Sequence, residues 1–255
     1  MKNNNRNYTI KGLDFRLCYV KALASFYKFE EIARGKKEKQ TPNKKISCLV
    51  GALGEYAVKL HCEKTYLDQK AEVIQTSTNK KGKFEKQDIV INFLDENEDK
   101  KQYKIEVKSQ QKGYARCQIL VEHAAKYLDN NIDFVFFTEI NFIKERKEIT
   151  IEEFENISDF TLINIIEKDQ NKHNNGLIEI EKIVAADVEI YCVERPKTFF
   201  NTNKYEIHYN KFKKLTYIRK DCVIMLSNYQ IIKNQQDILS EVNEILNEKE
   251  TIYFM

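Results

Sequence analysis

Asp88-Ile-Val-Ile-Asn-Phe93 and Tyr103-Lys-Ile-Glu106-Val-Lys108-Ser109 are the two stretches from which the fold is read. In the second, Tyr103, Ile105 and Val107 alternate with Lys104, Glu106 and Lys108. A period of two is the mark of a half-buried strand. One face is apolar and packs, while the other carries a carboxylate and an ammonium about 7 Å apart along the strand. Asp88 opens the first strand, and the acidic stretch Asp95-Glu-Asn-Glu-Asp99 between the two reads as a hairpin loop. An antiparallel hairpin can bring Asp88 beside Glu106, a register that the loop permits without fixing it.

Working outward, Leu49-Val-Gly-Ala-Leu-Gly-Glu-Tyr-Ala-Val58 falls in a helix expected over residues 46 to 64, with Ser47 or Asn43 near its start. It carries Glu55 toward the sheet, and Gly51 and Gly54 would let it approach closely. A preceding helix over 13 to 33 is expected from Leu13, Leu17, Val20, Leu23, Ala24 and Tyr27. The run Arg34 to Lys39 and then Thr41-Pro42 form a loop. Ala71 to Thr76 reads as a strand, followed by a turn at Asn79 to Gly82. Downstream come a helix over Ile119 to Leu128 and the apolar run Asp133 to Ile140, a central strand buried on both faces. The expected fold is therefore α/β, a mixed central β-sheet flanked by helices, with a C-terminal α+β extension. Residues 1–145 would form the core with its N-terminal helices, and 146–255 the part that completes it. Residues 147 to 175 admit strand or helix, 177 to 193 read as strands, and 236 to 248 as an amphipathic helix.

At 255 residues the chain is long enough for a sizeable core, and a net charge of +3 selects no partner by itself. Its six cysteines (Cys18, Cys48, Cys62, Cys117, Cys192, Cys222) show no Cys-x-x-Cys pair and no zinc spacing, so reduced thiols of a cytoplasmic protein are expected. No apolar run reaches the ~18 residues of a membrane span, and the polar start Met1-Lys-Asn-Asn-Asn-Arg6 is not of signal-peptide type. A Walker lysine and a nucleotide-binding glycine loop are both missing.

Two acids and a lysine at one sheet end suit a hard cation held beside a phosphate. Magnesium prefers oxygen ligands, keeps several waters and polarises a phosphoryl group. Asp88 and Glu106 are the candidate metal ligands. Lys108 would orient the attacking water or stabilise developing negative charge, and Glu55 would accept a hydrogen bond from a bound water or add a ligand. Glu98-x-Lys100 and Glu145-x-Lys147 have the same spacing but fall in a loop and in a highly charged stretch.

The order Gly-Glu helix, Asp-led strand, Glu-x-Lys strand resembles the PD-(D/E)xK nuclease superfamily, over about residues 46 to 140. The resemblance implies a mixed sheet flanked by helices, acids that bind Mg2+, and catalysis by Glu55, Asp88, Glu106 and Lys108. Gln87 stands where the family often has proline. Several members carry a Gln shortly after the lysine, which makes Gln110 or Gln111 a candidate for DNA contact. Some have Gln-x-x-x-Tyr on the next helix. His123-Ala-Ala-Lys-Tyr127 has that spacing with His in place of Gln, and carries little weight, because a lone His on a helix is more often structural.

Residues 195 to 220 hold eight basic residues (Arg195, Lys197, Lys204, Lys211, Lys213, Lys214, Arg219, Lys220) against one acid, Glu206. Phe199, Phe200, Tyr205, Tyr209, Phe212 and Tyr217 are interleaved with them. Such a stripe can neutralise phosphates and release counterions. Lys197, Lys204, Tyr205, Lys211, Lys213, Lys214, Arg219 and Lys220 are therefore candidate DNA contacts, and Lys80, Lys81 and Lys83 a second set. The resemblance implies a type II restriction endonuclease cutting double-stranded DNA, and a homodimer. The alternatives are a structure-selective repair or recombination nuclease and a non-catalytic DNA-binding module.

Overall fold

The computed structural model describes residues 6–35, 43–76, 87–94, 100–113, 117–157, 162–165, 176–201, 203–210, 214–220 and 229–230. The expected turn at 79–82, the acidic loop at 95–99, the helix at 236–248, and Lys80, Lys81, Lys83, Lys211, Lys213 and Cys222 lie outside these residues. The architecture is mixed α/β, with a seven-stranded sheet flanked by helices.

The chain begins with β1 (Asn7–Lys11), α1 (Gly12–Gly35) and α2 (Asn43–Thr65), followed by β2 (Ala71–Gln75), β3 (Ile89–Leu94) and β4 (Lys100–Gln111). Then come β5 (Gln118–Leu120), α3 (Val121–Asp129), β6 (Phe134–Thr150), α4 (Ile151–Glu155), β7 (Ile163–Ile165) and β8 (Leu177–Glu194). A short 3-10 turn at Pro196–Phe200 leads to β9 (Tyr205–Asn210), β10 (Leu215–Arg219) and β11 (Tyr229–Gln230). The large sheet runs β1-β8-β6-β4-β3-β2, with β7 also paired to β8, and a second sheet runs β11-β9-β10-β5.

The helices at 13–33 and 46–64 and the first three core strands are found where the apolar periodicity predicts them. Gly12 is the hinge between β1 and α1: its φ of +59° is a left-handed conformation that costs a side-chain-bearing residue about 1–2 kcal/mol. The β3–β4 hairpin is antiparallel, with Ile89 facing Ile105 and Ile91 facing Tyr103. Next to β4, the Lys104–Asp133 and Thr138–Ser109 hydrogen bonds share a sequence offset of 29, as parallel strands require. A parallel β4/β6 pair beside an antiparallel β3/β4 pair makes the sheet mixed, and α3 lies in the connection that a parallel pair needs.

Two expectations need correction. The helix expected from Ile119 starts at Val121, because Gln118 to Leu120 pair as a strand with β10. The boundary expected at 145/146 falls inside β6, one uninterrupted strand. The chain divides instead into a unit of residues 1–57 and 139–189 and a second of 58–138 and 190–255. The charged part of β6 stays extended because its cations meet an acid on β8: Lys144 is 2.6 Å and Arg146 3.6 Å from Glu181. After β6, Thr150 and Glu153 form a reciprocal capping box that starts α4.

Each unit has its own core. In the first, Phe15, Cys18 and Ala22 of α1 and Leu49, Leu53 and Ala57 of α2 pack with Ile10, Ile140, Ala186 and Val188. In the second, Val135 and Phe137 of β6 pack with Tyr127, Phe199, Tyr205, Leu215 and Tyr217. Each fully buried side chain of this size contributes about 1.5–3 kcal/mol, against about 0–1 for an exposed ion pair, so these clusters set the fold. Gly51 does not serve close packing, since a Cβ there meets nothing within 4 Å.

Candidate active site

Asp88 is held on β4 to either side of Glu106. Its N–H donates to the Ile105 carbonyl at 3.0 Å, and its carboxylate accepts the Val107 N–H at 2.7 Å. The side chain thus takes over a ladder bond at the point where β3 begins. On the other side its carbonyl accepts the Thr76 N–H at 2.8 Å, so the residue is fixed from two strands.

On β4, Ile105 and Val107 are buried, whereas Glu106, Lys108 and Gln110 share the opposite, half-buried face. Lys108 Nζ lies 2.7 Å from Glu106 Oε1. Tyr127, from α3, donates its hydroxyl to the same oxygen at 3.1 Å and sets its ring 5.5 Å from the Lys108 ammonium. Asp88, Glu106, Lys108 and Tyr127 all belong to the second unit. Glu55 lies in the first, where its carboxylate is 2.7 Å from Lys21 Nζ.

The electrostatics follow from this packing. Burial pulls the Lys108 ammonium down, but the Glu106 carboxylate and the Tyr127 hydroxyl outweigh it, and its pKa is raised. Lys108 is therefore a permanent cation and not a base. Burial pushes the Tyr127 phenol up, which keeps it a donor. His123, one turn before Tyr127, has its pKa lowered by burial and then by the Lys108 charge, so it is neutral at pH 7. The spacing that joins His123 to Tyr127 was legible in the sequence. Its importance was not, because only the α3 packing shows which strand the tyrosine meets.

The donor set fits a hard divalent cation. Asp88 and Glu106 supply carboxylate oxygens, and both protein donors on Glu106 go to Oε1, which leaves Oε2 to take a further ligand. Two carboxylates suit an ion such as magnesium that retains most of its waters. Among the described residues no group of three or more His, Cys, Asp or Glu side chains is placed to hold a metal. Gln110 Nε2 is buried without a hydrogen-bond partner on the face that carries Glu106 and Lys108, so a group arriving there would find a donor.

The basic segment divides. Tyr205 is 3% exposed and belongs to the core, which corrects its expected place at a DNA surface. Lys204 and Arg219 lie 2.5 and 3.6 Å from the buried Glu194, and Arg219 also donates to Cys192 Sγ at 2.9 Å. Glu194 stands just before the basic stretch, so a charge count beginning at Arg195 missed their counterion. Lys197 and Lys220 are exposed, and Lys214 is exposed with Glu122 of α3 at 3.4 Å. A pair so open to water contributes ~0–1 kcal/mol and can exchange for a phosphate.

Among the described residues, Cys18, Cys48, Cys62, Cys117 and Cys192 form no disulfide, with Cys48 half-buried and the other four buried. Burial pushes the Cys18 and Cys62 thiols up to about 11 and about 12, as inert core thiols. Among the described residues no helix is long and apolar enough to cross a membrane. Compared with known proteins, the chain matches no family model, no curated protein and no solved structure.

Proposed function

We propose that this chain is a Mg2+-dependent endonuclease of the PD-(D/E)xK type that hydrolyses phosphodiester bonds of double-stranded DNA, in the manner of a type II restriction endonuclease. The observation that carries the reading is the placement of Asp88 on both sides of Glu106, with Lys108 and Tyr127 converging on the same carboxylate.

Asp88 and Glu106 would hold the ion, which when bound supplies Lewis-acid polarisation of the scissile phosphate and a more acidic water. Lys108, charged at all working pH, contributes electrostatic stabilisation of the phosphate as negative charge builds up, and orients a water against it. Tyr127 fixes the Glu106 rotamer so that Oε2 stays available. Gln110, further along the same face, offers a donor to the DNA backbone or a base edge. Lys197, Lys214 and Lys220 supply sequence-independent attraction to phosphates. Glu55, bound to Lys21, has no assigned part.

The test is incubation of the protein with plasmid and phage DNA, with Mg2+ or with a chelator. Discrete fragments that require Mg2+ support the proposal, and Glu106→Ala and Lys108→Ala should each abolish them while retaining DNA binding. Cutting confined to branched DNA would assign the site to a repair or recombination nuclease. Binding without any cutting would reduce it to a DNA-binding module.

A further inference from the structure

Two strands pair with β8 in succession and leave a gap between them. β1 covers Ala185 to Glu189 and β7 covers Ile180 to Lys182, so Ile183 and Val184 lie opposite neither. At the same end of β1, Gly12 turns the chain into α1. A cavity of about 320 Å3 opens at this gap, walled by Phe15, Leu162, Ile163, Ile183 and Val184. All of the residues that line it belong to the first unit. Ligand sites run from ~300 to ~1,000 Å3 and are mostly apolar with a few placed polar groups, so this one suits a small ligand. At the ~30 Å3 that a water occupies, it has room for about ten non-hydrogen atoms.

Two cations, Arg16 of α1 and Lys182 of β8, also line the cavity. Both are exposed, so their stems contribute to the wall while their charges stand at the mouth. Among the described residues neither has an ion-pair or hydrogen-bond partner, whereas Lys21, Lys144 and Lys204 are each bound to a carboxylate. Tyr19, in the same lining, has a buried hydroxyl without a hydrogen-bond partner, a donor whose desolvation is unmatched. Among the described residues that line the cavity none is acidic. We propose that the cavity binds a small organic acid, an alkyl or aryl carboxylate of about eight carbons. Its apolar body fills the wall, and its carboxylate pairs with Arg16 and Lys182. A neutral molecule would leave both cations unused, and a bare inorganic anion would leave the apolar wall unfilled.

This inference does not rest on the nuclease reading. Asp88, Glu106 and Lys108 belong to the other unit, and the measurement needs neither DNA nor Mg2+. A ligand of about ten non-hydrogen atoms with ordinary efficiency per atom has a Kd of about 0.1–1 mM. An exposed ion pair contributes a factor of about two to five, so losing both cations should weaken binding about tenfold.

The test is titration calorimetry of the full chain with octanoate, and with 1-octanol as the neutral control. Wild type should bind a single octanoate, and octanol about tenfold more weakly. Arg16→Met with Lys182→Met should lose about tenfold toward octanoate and little toward octanol. Its circular-dichroism melt should be unchanged, because both side chains are exposed. Arg16→Lys alone should keep most of the affinity. Val184→Phe, which fills the cavity, should remove binding of both compounds. The double methionine variant touches no core residue, so it decides by itself if Val184→Phe does not fold. A wild type that binds no octanoate up to about 5 mM overturns the proposal, as does one that binds octanol equally well. Octanoate bound at wild-type affinity by the double methionine variant, or by folded Val184→Phe, lies elsewhere on the molecule and overturns it too.

Discussion

Replacing Lys108 by methionine should tighten Mg2+ binding while abolishing cleavage. The ammonium lies 2.7 Å from Glu106 Oε1. An ion held by the same carboxylate would set like charges side by side, for which a separation of roughly 4 Å gives the scale. Two unit charges at that separation repel by ~1 kcal/mol in water and by ~4 kcal/mol near a protein surface. The Lys108 side chain is 34% exposed, which favours the lower figure. Doubling it for a divalent ion gives about 2 kcal/mol, roughly thirtyfold in Kd. Methionine keeps an unbranched stem beside the Tyr127 ring, so packing should survive. In chelator the variant should lose about 1–2 kcal/mol of stability, because Glu106 loses its cation but keeps the tyrosine hydroxyl. Mg2+ should return part of that loss by mass action. Titration calorimetry with MgCl2, paired with plasmid cleavage, reads both effects. If the variant binds Mg2+ no more tightly than wild type, Glu106 is not a ligand. If it cleaves at the wild-type rate, Lys108 has no catalytic part.

His123 provides a pH signature. Its folded pKa lies below the ~6.5 of the unfolded chain, so the unfolded chain takes up the proton first. This contribution to stability is complete above ~6.5 and is lost as pH falls through that value toward the folded pKa. His123→Gln should therefore flatten the stability profile between about pH 7 and 5 in urea titrations, and an unchanged slope would place the histidine in solvent. On duplex DNA, Lys197→Ala and Lys220→Ala should each lower the slope of log affinity against log salt by about one unit. Lys204→Ala should change that slope little, since Glu194 already holds its ammonium. Gly12→Ala should cost about 1–2 kcal/mol in chemical denaturation through its positive φ alone, and a neutral result would mean that the β1–α1 junction relaxes.

Local pattern determined much of this protein. The alternation at Tyr103 to Ser109 assigned Ile105 and Val107 inward and Glu106 and Lys108 to a common face, and the apolar periods placed α1, α2, β2 and β3 closely. These features depend on neighbours a few residues away, for which spacing along the chain is spacing in space. The charged half of β6 read only as a highly charged stretch running into residues that admit strand or helix, because the acid that keeps it extended, Glu181, comes from a strand more than thirty residues later. Likewise the basic stretch read as a uniform DNA surface until β8 brought Glu194 to Lys204 and Arg219, and the core took Tyr205. The convergence of Tyr127 on Glu106, and the choice of which lysines keep their charge for a partner, belong to the tertiary structure alone. Burial and charge pairing are settled by residues that meet only once the sheet has closed.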